Sequence, residues 1–239
     1  MYQTKGIVLR KYDIGESDRG YILYTKDYGK KQLFVKSARK IKSKLSGNLA
    51  EFSEVRMDFI KCKNCEKIIS TEIENNFLNI RSDLRRIVLG NFVLDIVDNF
   101  IKWDHPDKEI YCLINEIFII IDQQEDIKKC YFSVNIFVWK LLVFSGYKPE
   151  FNKCAFCGNK TSENMYLGRS QGGLFCKSCF SCNPDMVKIG KNAIDYLKGR
   201  TVKVEKIEEI ILVIQKFMRI HLDKVLKSEV WVDKLFNVS

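Results

Sequence analysis

Four cysteines in the second half of the chain constrain its fold more strongly than any other feature of the sequence. Cys154 and Cys157 form one C-x2-C pair, and Cys176 and Cys179 form a second pair after eighteen intervening residues. This spacing is typical of structural zinc sites, in which each pair supplies two thiolates to one tetrahedral ion at Zn–S distances of about 2.3 Å. Because four protein ligands leave no open coordination position, the spacing predicts one structural Zn²⁺ per chain that does not activate water.

Further cysteines leave alternatives open. Cys182 adds another C-x2 step and could replace Cys179 as the fourth ligand. The four residues could also be buried free thiols, but nine cysteines in a chain expected to be cytosolic favour metal binding over a disulfide framework. Cys62 and Cys65 flank Lys63-Asn64, which is typical of a hairpin turn, so we expect two cross-strand thiols there without a metal.

The first eighty residues have the pattern of short β-strands. Strand-like runs between turn signals cover residues 5–12, 20–25, 30–36, 52–60 and 68–73. In the fourth run every second side chain is apolar, namely Val55, Met57 and Phe59. The residues between them are charged, namely Glu54, Arg56 and Asp58, which predicts one buried and one solvated face. Five strands match an OB-type barrel, and residues 43–50 can form the helical turn that such a barrel often carries between its third and fourth strands.

The hydrophobic spacing changes to a helical period near residue 82. Apolar residues then recur every three or four positions as far as Ile101, which predicts a long amphipathic helix. Asp107 can cap a second helix that ends near residue 121, and residues 132–144 form a third, very apolar helix that Gly146 ends. The fold class is therefore α+β. An OB-type barrel occupies residues 1–80, and a helical domain occupies residues 81–239, with the zinc knuckle inserted at about 150–183.

The distribution of charge indicates a polyanionic partner. The net charge is +10, and residues 1–80 carry sixteen basic and ten acidic side chains. No Asp or Glu occurs between residues 30 and 44, where seven basic side chains make a candidate phosphate-binding stretch. These residues are Lys30, Lys31, Lys36, Arg39, Lys40, Lys42 and Lys44. The alternative is a solvated, lysine-rich face that serves only solubility.

Phe34 lies within this basic stretch and is the candidate for stacking on unpaired bases. Strand alternation places it on the same face as Lys30, Gln32 and Lys36, and on the opposite face from Leu33. An aromatic ring between lysines is typical of surfaces that bind single-stranded nucleic acid. Phe34 could equally be a core residue of the barrel.

Signatures of common enzyme classes are missing from the sequence. It contains no G-x-x-x-x-G-K-[ST], no G-x-G-x-x-G and no H-E-x-x-H motif. The two histidines, His105 and His221, belong to no recognisable catalytic constellation, so we expect both to be structural and the protein not to be an enzyme. No apolar run approaches the roughly 20 residues of a membrane-spanning helix, and no secretory leader is evident. We therefore expect a cytoplasmic protein with no membrane partner.

The order of these parts resembles the bacterial RecO family of DNA repair and recombination mediators over nearly the whole chain. The segments that carry the resemblance are Gly15-Glu16-Ser17-Asp18-Arg19, Gly29, Lys36-Ser37-Ala38-Arg39-Lys40, His105-Pro106, Gly146-Tyr147-Lys148-Pro149, and Gly172-Gly173-Leu174 ahead of Cys176. Some members of that family lack the zinc cysteines. The resemblance therefore implies that the metal is part of the scaffold and not the source of activity.

The resemblance implies a non-enzymatic, nucleoid-associated protein that binds single- and double-stranded DNA and anneals complementary strands. It also implies two protein partners. RecR would act with the protein in loading RecA, and single-stranded-DNA-binding protein would dock its acidic C-terminal tail in the helical domain. The alternative is an RNA-binding or transcription-associated protein, since OB barrels and zinc knuckles also serve RNA.

Overall fold

The structure is a computed structural model that describes residues 1–40, 44–160, 165–167, 173–180, 186–200, 207–222 and 224–236, without the side chains of Lys44 and Val187. The chain forms two compact units, one comprising Met1–Cys130 with Leu226–Ser239 and the other Tyr131–Val225. Strands give way to helices after residue 76, close to the expected boundary at residue 80. The packing nevertheless groups the first helices, and the last one, with the strands.

Five strands close into the barrel that the sequence predicts. They are β1 (Tyr2–Ile14), β2 (Asp18–Thr25), β3 (Gly29–Val35), β4 (Ser53–Lys61) and β5 (Glu66–Asn76). Their order around the barrel is β1-β2-β3-β5-β4, and β1 also pairs with β4 to close it. Helix α1 (Lys44–Asn48) lies between β3 and β4 in the chain, as expected. The β3–β5 pair is parallel and the other four are antiparallel.

The inner face of β4 is buried as its alternation predicts. Val55, Met57 and Phe59 are each at most 1% exposed. The expectation of a wholly solvated outer face is wrong for Glu54, which is only 4% exposed. Its carboxylate accepts hydrogen bonds from the Tyr111 hydroxyl at 2.7 Å and the Asn75 amide at 2.6 Å. The carboxylate of Glu54 can be buried because two hydrogen-bond donors satisfy its oxygens.

Four helices follow the barrel: α2 (Leu78–Ser82), α3 (Leu84–Phe100), α4 (Lys108–Gln123) and α5 (Ile127–Phe144). Asp107 caps α4 as predicted, because its carboxylate accepts the N–H groups of Glu109 and Ile110. Gly146 ends α5 with φ +92°, and the Tyr147 N–H donates to the Leu142 carbonyl in the manner of a Schellman motif. Among the described residues, none of the helices combines the length and the apolar composition that crossing a bilayer requires.

Helix α9 (Lys227–Phe236) packs on α3 although about 130 residues separate them in the chain. The Ser228 hydroxyl donates to the Asp95 carboxylate at 2.6 Å. One turn further along α3, Asp98 accepts the ammonium of Lys30 from β3 at 2.6 Å and the guanidinium of Arg10 from β1 at 3.0 Å. Helix α3 is thus bonded to the barrel on one side and to α9 on another.

The second unit contains a small sheet and further helices. The strands are β6 (Glu150–Cys154), β7 (Met165–Leu167), β8 (Gly173–Cys176) and β9 (Val187–Ile189), in the order β6-β8-β7-β9. The helices are α6 (Lys177–Phe180), α7 (Lys191–Leu197), α8 (Ile207–His221) and most of α5. Trp139 of α5 anchors this core: its indole N–H donates to the Leu197 carbonyl at 3.2 Å, and its ring packs on Phe151 and Phe217.

Candidate metal centre and nucleic-acid interface

The four predicted cysteines meet in one cluster at the end of the small sheet. Cys154 ends β6, Cys157 lies in the turn after it, Cys176 ends β8, and Cys179 lies in α6. Strands β6 and β8 are parallel neighbours, so their carboxyl ends bring the two C-x2-C pairs to the same edge. All four sulfurs lie within 4.8 Å of one another. The predicted ligand set is therefore assembled in space.

The backbone around Cys154 fixes the first knuckle. The Cys154 N–H donates to the Asn159 carbonyl at 2.7 Å, and the Gly158 N–H donates back to the Cys154 carbonyl at 3.0 Å. Gly158 has φ +74°, a conformation that a residue with a Cβ adopts only with strain. The Ala155 N–H donates to the Leu174 carbonyl of β8, which ties the knuckle to the sheet. The turn is therefore held in place by the protein itself.

The sulfur geometry fits a tetrahedral metal ion. The Cys157 and Cys176 sulfurs are 3.7 Å apart, and the edge of a tetrahedron with metal–sulfur distances of 2.3 Å is about 3.8 Å long. Burial raises the pKa of the Cys154 thiol, but the N–H groups of Cys157 and Cys176 outweigh it and lower the pKa to about 6. A hydrogen bond with the Cys176 sulfur raises the pKa of Cys179 to about 12. Four thiolates this close repel one another, so full deprotonation requires a cation between them.

Cys62 and Cys65 do not belong to this cluster. Cys182 lies outside the described residues. Cys62 and Cys65 lie at the tip of the β4–β5 hairpin, where the Cys62 N–H donates to the Cys65 carbonyl at 2.8 Å. In the part of the chain that the structure describes, one group of three or more His, Cys, Asp or Glu side chains lies close enough to share a metal ion. Its members are Cys154, Cys157, Cys176 and Cys179.

Two of the candidate phosphate-binding lysines are engaged with carboxylates. Lys30 is 3% exposed, and its ammonium lies 2.6 Å from Asp98 and 4.5 Å from the centre of the Trp103 ring. Lys31 lies between Glu66 at 3.4 Å and Asp104 at 2.8 Å. The interpretation of Lys30 as a phosphate ligand needs correction, because a buried ammonium that is already paired cannot reach a nucleic-acid backbone.

The rest of the basic stretch is more open. Lys36, Arg39 and Lys40 are exposed, and Phe34 is half-buried on the outer face of β3. Lys36 and Lys40 make no ion pair with any other described residue. Lys42 lies outside the described residues, and Lys44 begins α1. The accessible candidates therefore lie at the end of β3 and in the turn that follows it.

Tyr12 is an aromatic residue of this surface that the sequence reasoning missed. The register pairs Tyr12 of β1 with Gly20 of β2, Gly20 with Phe34 of β3, and Phe34 with Lys67 of β5. A Cβ at Gly20 would overlap the Tyr12 ring, so the ring lies across β2, and its hydroxyl contacts Gln32. Residues directly opposite one another share a face. The pairing of Gly20 with both residues places the two rings on one face, and the sequence alone carries no signal for that pairing.

The segment after α3 covers the opposite end of the same face. Gly29 has φ +67°, and a Cβ there would overlap the backbone of His105. The Asp104 N–H donates to the Lys30 carbonyl at 3.1 Å. The close approach at Gly29 thus lets residues 103–106 lie on β3, which explains why Lys30 is covered while Phe34 remains accessible.

Comparison with known proteins gives a consistent result over the whole chain. Residues 1–77 match the family model described as Recombination protein O N terminal, and residues 81–229 match Recombination protein O C terminal. A DNA repair protein RecO of Dehalococcoides mccartyi is 30% identical over 98% of this chain and 96% of its own length. A DNA repair protein RecO of Caldanaerobacter subterraneus subsp. tengcongensis is 28% identical over 98% of both chains. Another, of a Thermoanaerobacter species, is 28% identical over 100% of this chain and 99% of its own.

Proposed function

The chain belongs to the RecO family of DNA repair proteins, and from that premise we propose that it is a non-enzymatic mediator of recombination. It binds single- and double-stranded DNA in the cytoplasm, at the nucleoid, and anneals complementary strands. The observation that carries this proposal is the outer face of β1, β2 and β3. There Tyr12 and Phe34 flank Gly20, and the exposed Lys36 and Lys40 follow Phe34 along the chain, just after the end of β3.

This face contains the two kinds of group that hold a single strand without reading its sequence. Lysines neutralise phosphates and release counterions, and aromatic rings stack on unpaired bases. Two strands bound to such neutralised surfaces lose much of their mutual repulsion, so complementary sequences can pair. This mode of annealing uses no general acid, base or nucleophile.

We propose that the cysteine cluster holds one structural Zn²⁺. The 3.7 Å sulfur separation and the four-thiolate donor set favour this ion. With all four positions filled by protein, the metal would supply folding energy by joining β6, β8 and α6, and no chemistry toward a substrate.

Family membership also supports two protein partners. We propose that RecR acts with this protein in loading RecA. We further propose that single-stranded-DNA-binding protein docks its acidic C-terminal tail in the helical region, where an apolar pocket with a basic rim would suit such a tail.

A salt titration of single-stranded DNA binding tests the proposed function. Changing Lys36 and Lys40 together to Ala should weaken binding to all sequences alike and make the plot of log affinity against log salt shallower. The slope should change by about 0.7 for each phosphate that the protein no longer neutralises. Lys102→Ala with Lys108→Ala removes the same charge from an exposed part of the chain outside the barrel and should leave the slope nearly unchanged. Equal effects of the two double variants would show that the basic stretch is only a solvated face and does not bind phosphates.

The same titration with RNA of matched sequence separates the proposal from its alternative. An RNA-binding or transcription-associated protein should prefer RNA and should fail to anneal complementary DNA. We expect DNA to be bound at least as tightly as RNA and to be annealed.

The two aromatic rings should contribute to affinity in a different way. Tyr12→Ala or Phe34→Ala should each weaken single-strand binding by about 1–3 kcal/mol while leaving the salt slope unchanged, because stacking involves no ion release. Tyr12→Phe and Phe34→Trp keep a ring at each position and should restore most of the affinity. If Phe34→Ala lowers the melting temperature and leaves the affinity of the folded fraction unchanged, Phe34 is a core residue.

A further inference from the structure

Two turns at one end of the barrel are joined by hydrogen bonds of backbone and side-chain groups. The Ser17 carbonyl accepts the Arg39 N–H at 3.0 Å, and the Asp18 carboxylate accepts the Ser37 N–H at 2.8 Å. The Gly15 carbonyl also accepts the Arg39 guanidinium at 3.3 Å. These bonds join the segments 15–19 and 36–40, which are far apart in the sequence. They hold the side chain of Arg39 close to the start of β2, where Arg19 lies.

A single carboxylate lies between the two arginines. Asp13 of β1 is directly opposite Arg19 of β2, and its Oδ1 accepts the Arg19 Nε at 2.8 Å. Its Oδ2 lies 3.6 Å from the Arg39 Nε. The side chains of Asp13, Arg19 and Arg39 are 48%, 26% and 43% exposed, so solvent and ligands reach all three. The Arg19 hydrogen bond lowers the pKa of Asp13, which is therefore ionised at neutral pH.

We propose that Arg19 and Arg39 form a binding site for one backbone phosphate of a nucleic acid, and that Asp13 occupies this site in the free protein as an internal competitor. The proposal rests on the proposed function, since it assumes that a nucleic acid binds the barrel. A guanidinium presents the same N–H groups to a carboxylate and to a phosphate. A phosphate can therefore take the position of the Asp13 carboxylate.

Exchange at this site requires little free energy. Exposed ion pairs contribute little stability because water and salt compete for both partners. The contact between Asp13 and Arg39 is the longer of the two, so a phosphate enters on the Arg39 side while Arg19 still holds the carboxylate. The consequence is a strand that is bound less tightly than the number of basic residues suggests. Release of the strand is correspondingly faster, as an annealing protein requires after pairing.

Removing the competitor tests the proposal. Asp13→Asn should increase the affinity for single-stranded DNA on the order of fivefold at moderate salt, because an exposed pair no longer has to be broken. It should also steepen the salt dependence by about 0.7 per additional phosphate neutralised. Glu72→Gln is the matched control. Like Asp13→Asn, it neutralises one exposed carboxylate of the barrel. It also weakens a different ion pair, in which Glu72 lies 3.8 Å from the guanidinium of Arg56. We expect a much smaller effect on affinity and slope.

A double variant tests whether the gain in affinity depends on Arg39. In an Arg39→Ala background, Asp13→Asn should give less than a twofold gain in affinity, because half of the phosphate site is missing. Equal gains from Asp13→Asn and Glu72→Gln, or a full gain without Arg39, would overturn the proposal. Melting curves confirm that each variant is folded. A wild-type protein that fails to bind DNA at all would instead contradict the proposed function.

Discussion

Changing Cys154 and Cys176 together to Ser is expected to abolish metal binding and to unfold the small sheet. Each substitution removes one thiolate from a different knuckle, and the remaining pair cannot hold the ion at neutral pH. Structural zinc contributes about 10–16 kcal/mol of binding free energy in zinc-finger peptides. The core around Trp139 should stay folded without the metal. The loss of stability here should therefore be smaller than in zinc-finger peptides, but still several kcal/mol.

Metal analysis of protein purified without chelators measures this effect. We expect about one zinc per wild-type chain, as for other four-cysteine sites, and almost none in the double variant. Limited proteolysis should then cut the double variant around β7 and β8. Cys62→Ser is the control, since Cys62 lies in the exposed β4–β5 hairpin, and it should keep both the metal and the stability. Wild-type protein without zinc would contradict the proposed metal site. A comparison of Cys179→Ser with Cys182→Ser identifies the fourth ligand.

Asp98→Ala should cause the largest loss of stability in the first unit. This substitution leaves the Lys30 ammonium, which is 3% exposed, without its carboxylate, and it also removes the nearer of the two carboxylates that pair with Arg10. Breaking a buried ion pair from one side typically costs about 3–5 kcal/mol, because an uncompensated charge remains inside the protein. Urea denaturation should show this as a lower midpoint at an unchanged slope.

Two further variants determine whether burial is the cause. Asp104→Ala removes the nearer of the two carboxylates that pair with Lys31, but Asp104 is 68% exposed, and we expect a loss below about 1 kcal/mol. Lys30→Met in the Asp98→Ala background removes the unpaired charge and should recover most of the stability. Equal losses from Asp98→Ala and Asp104→Ala would show that the Lys30 pair behaves as a surface ion pair.

The sequence predicts those parts of this fold that depend on local pattern. Alternation along the chain is enough to find the five barrel strands, and the cysteine spacing is enough to find the metal cluster, because both reflect neighbours close in sequence. The burial of Lys30 and Glu54 could not be predicted in this way. Each lies on the outer face of a strand, and only the packing of α3 and α4 on that face, with Asp98 and Tyr111 as partners, makes a buried charge acceptable there.

The candidate site shows the same division. Alternation along one strand puts Phe34 on the opposite face from Leu33, but it does not decide which face is solvated, so the sequence left a core position for Phe34 open. Tyr12, Lys67 and Arg19 required the register between strands, which a single sequence does not provide. The short strands of the second unit, three to five residues long, were also missed, since they contain too few residues for a period to be recognised.

The packing of α9 on α3 has a consequence for biosynthesis. The first unit is discontinuous in the chain, and the whole of Tyr131–Val225 is translated before α9 becomes available. At about 5–20 residues per second, the surface of α3 around Asp95 waits for roughly 5–20 seconds without its final partner. During that interval the nascent chain presents an unfinished helical surface to chaperones and to other nascent chains. The order of segments along the gene therefore sets a period of vulnerability that the completed protein no longer has.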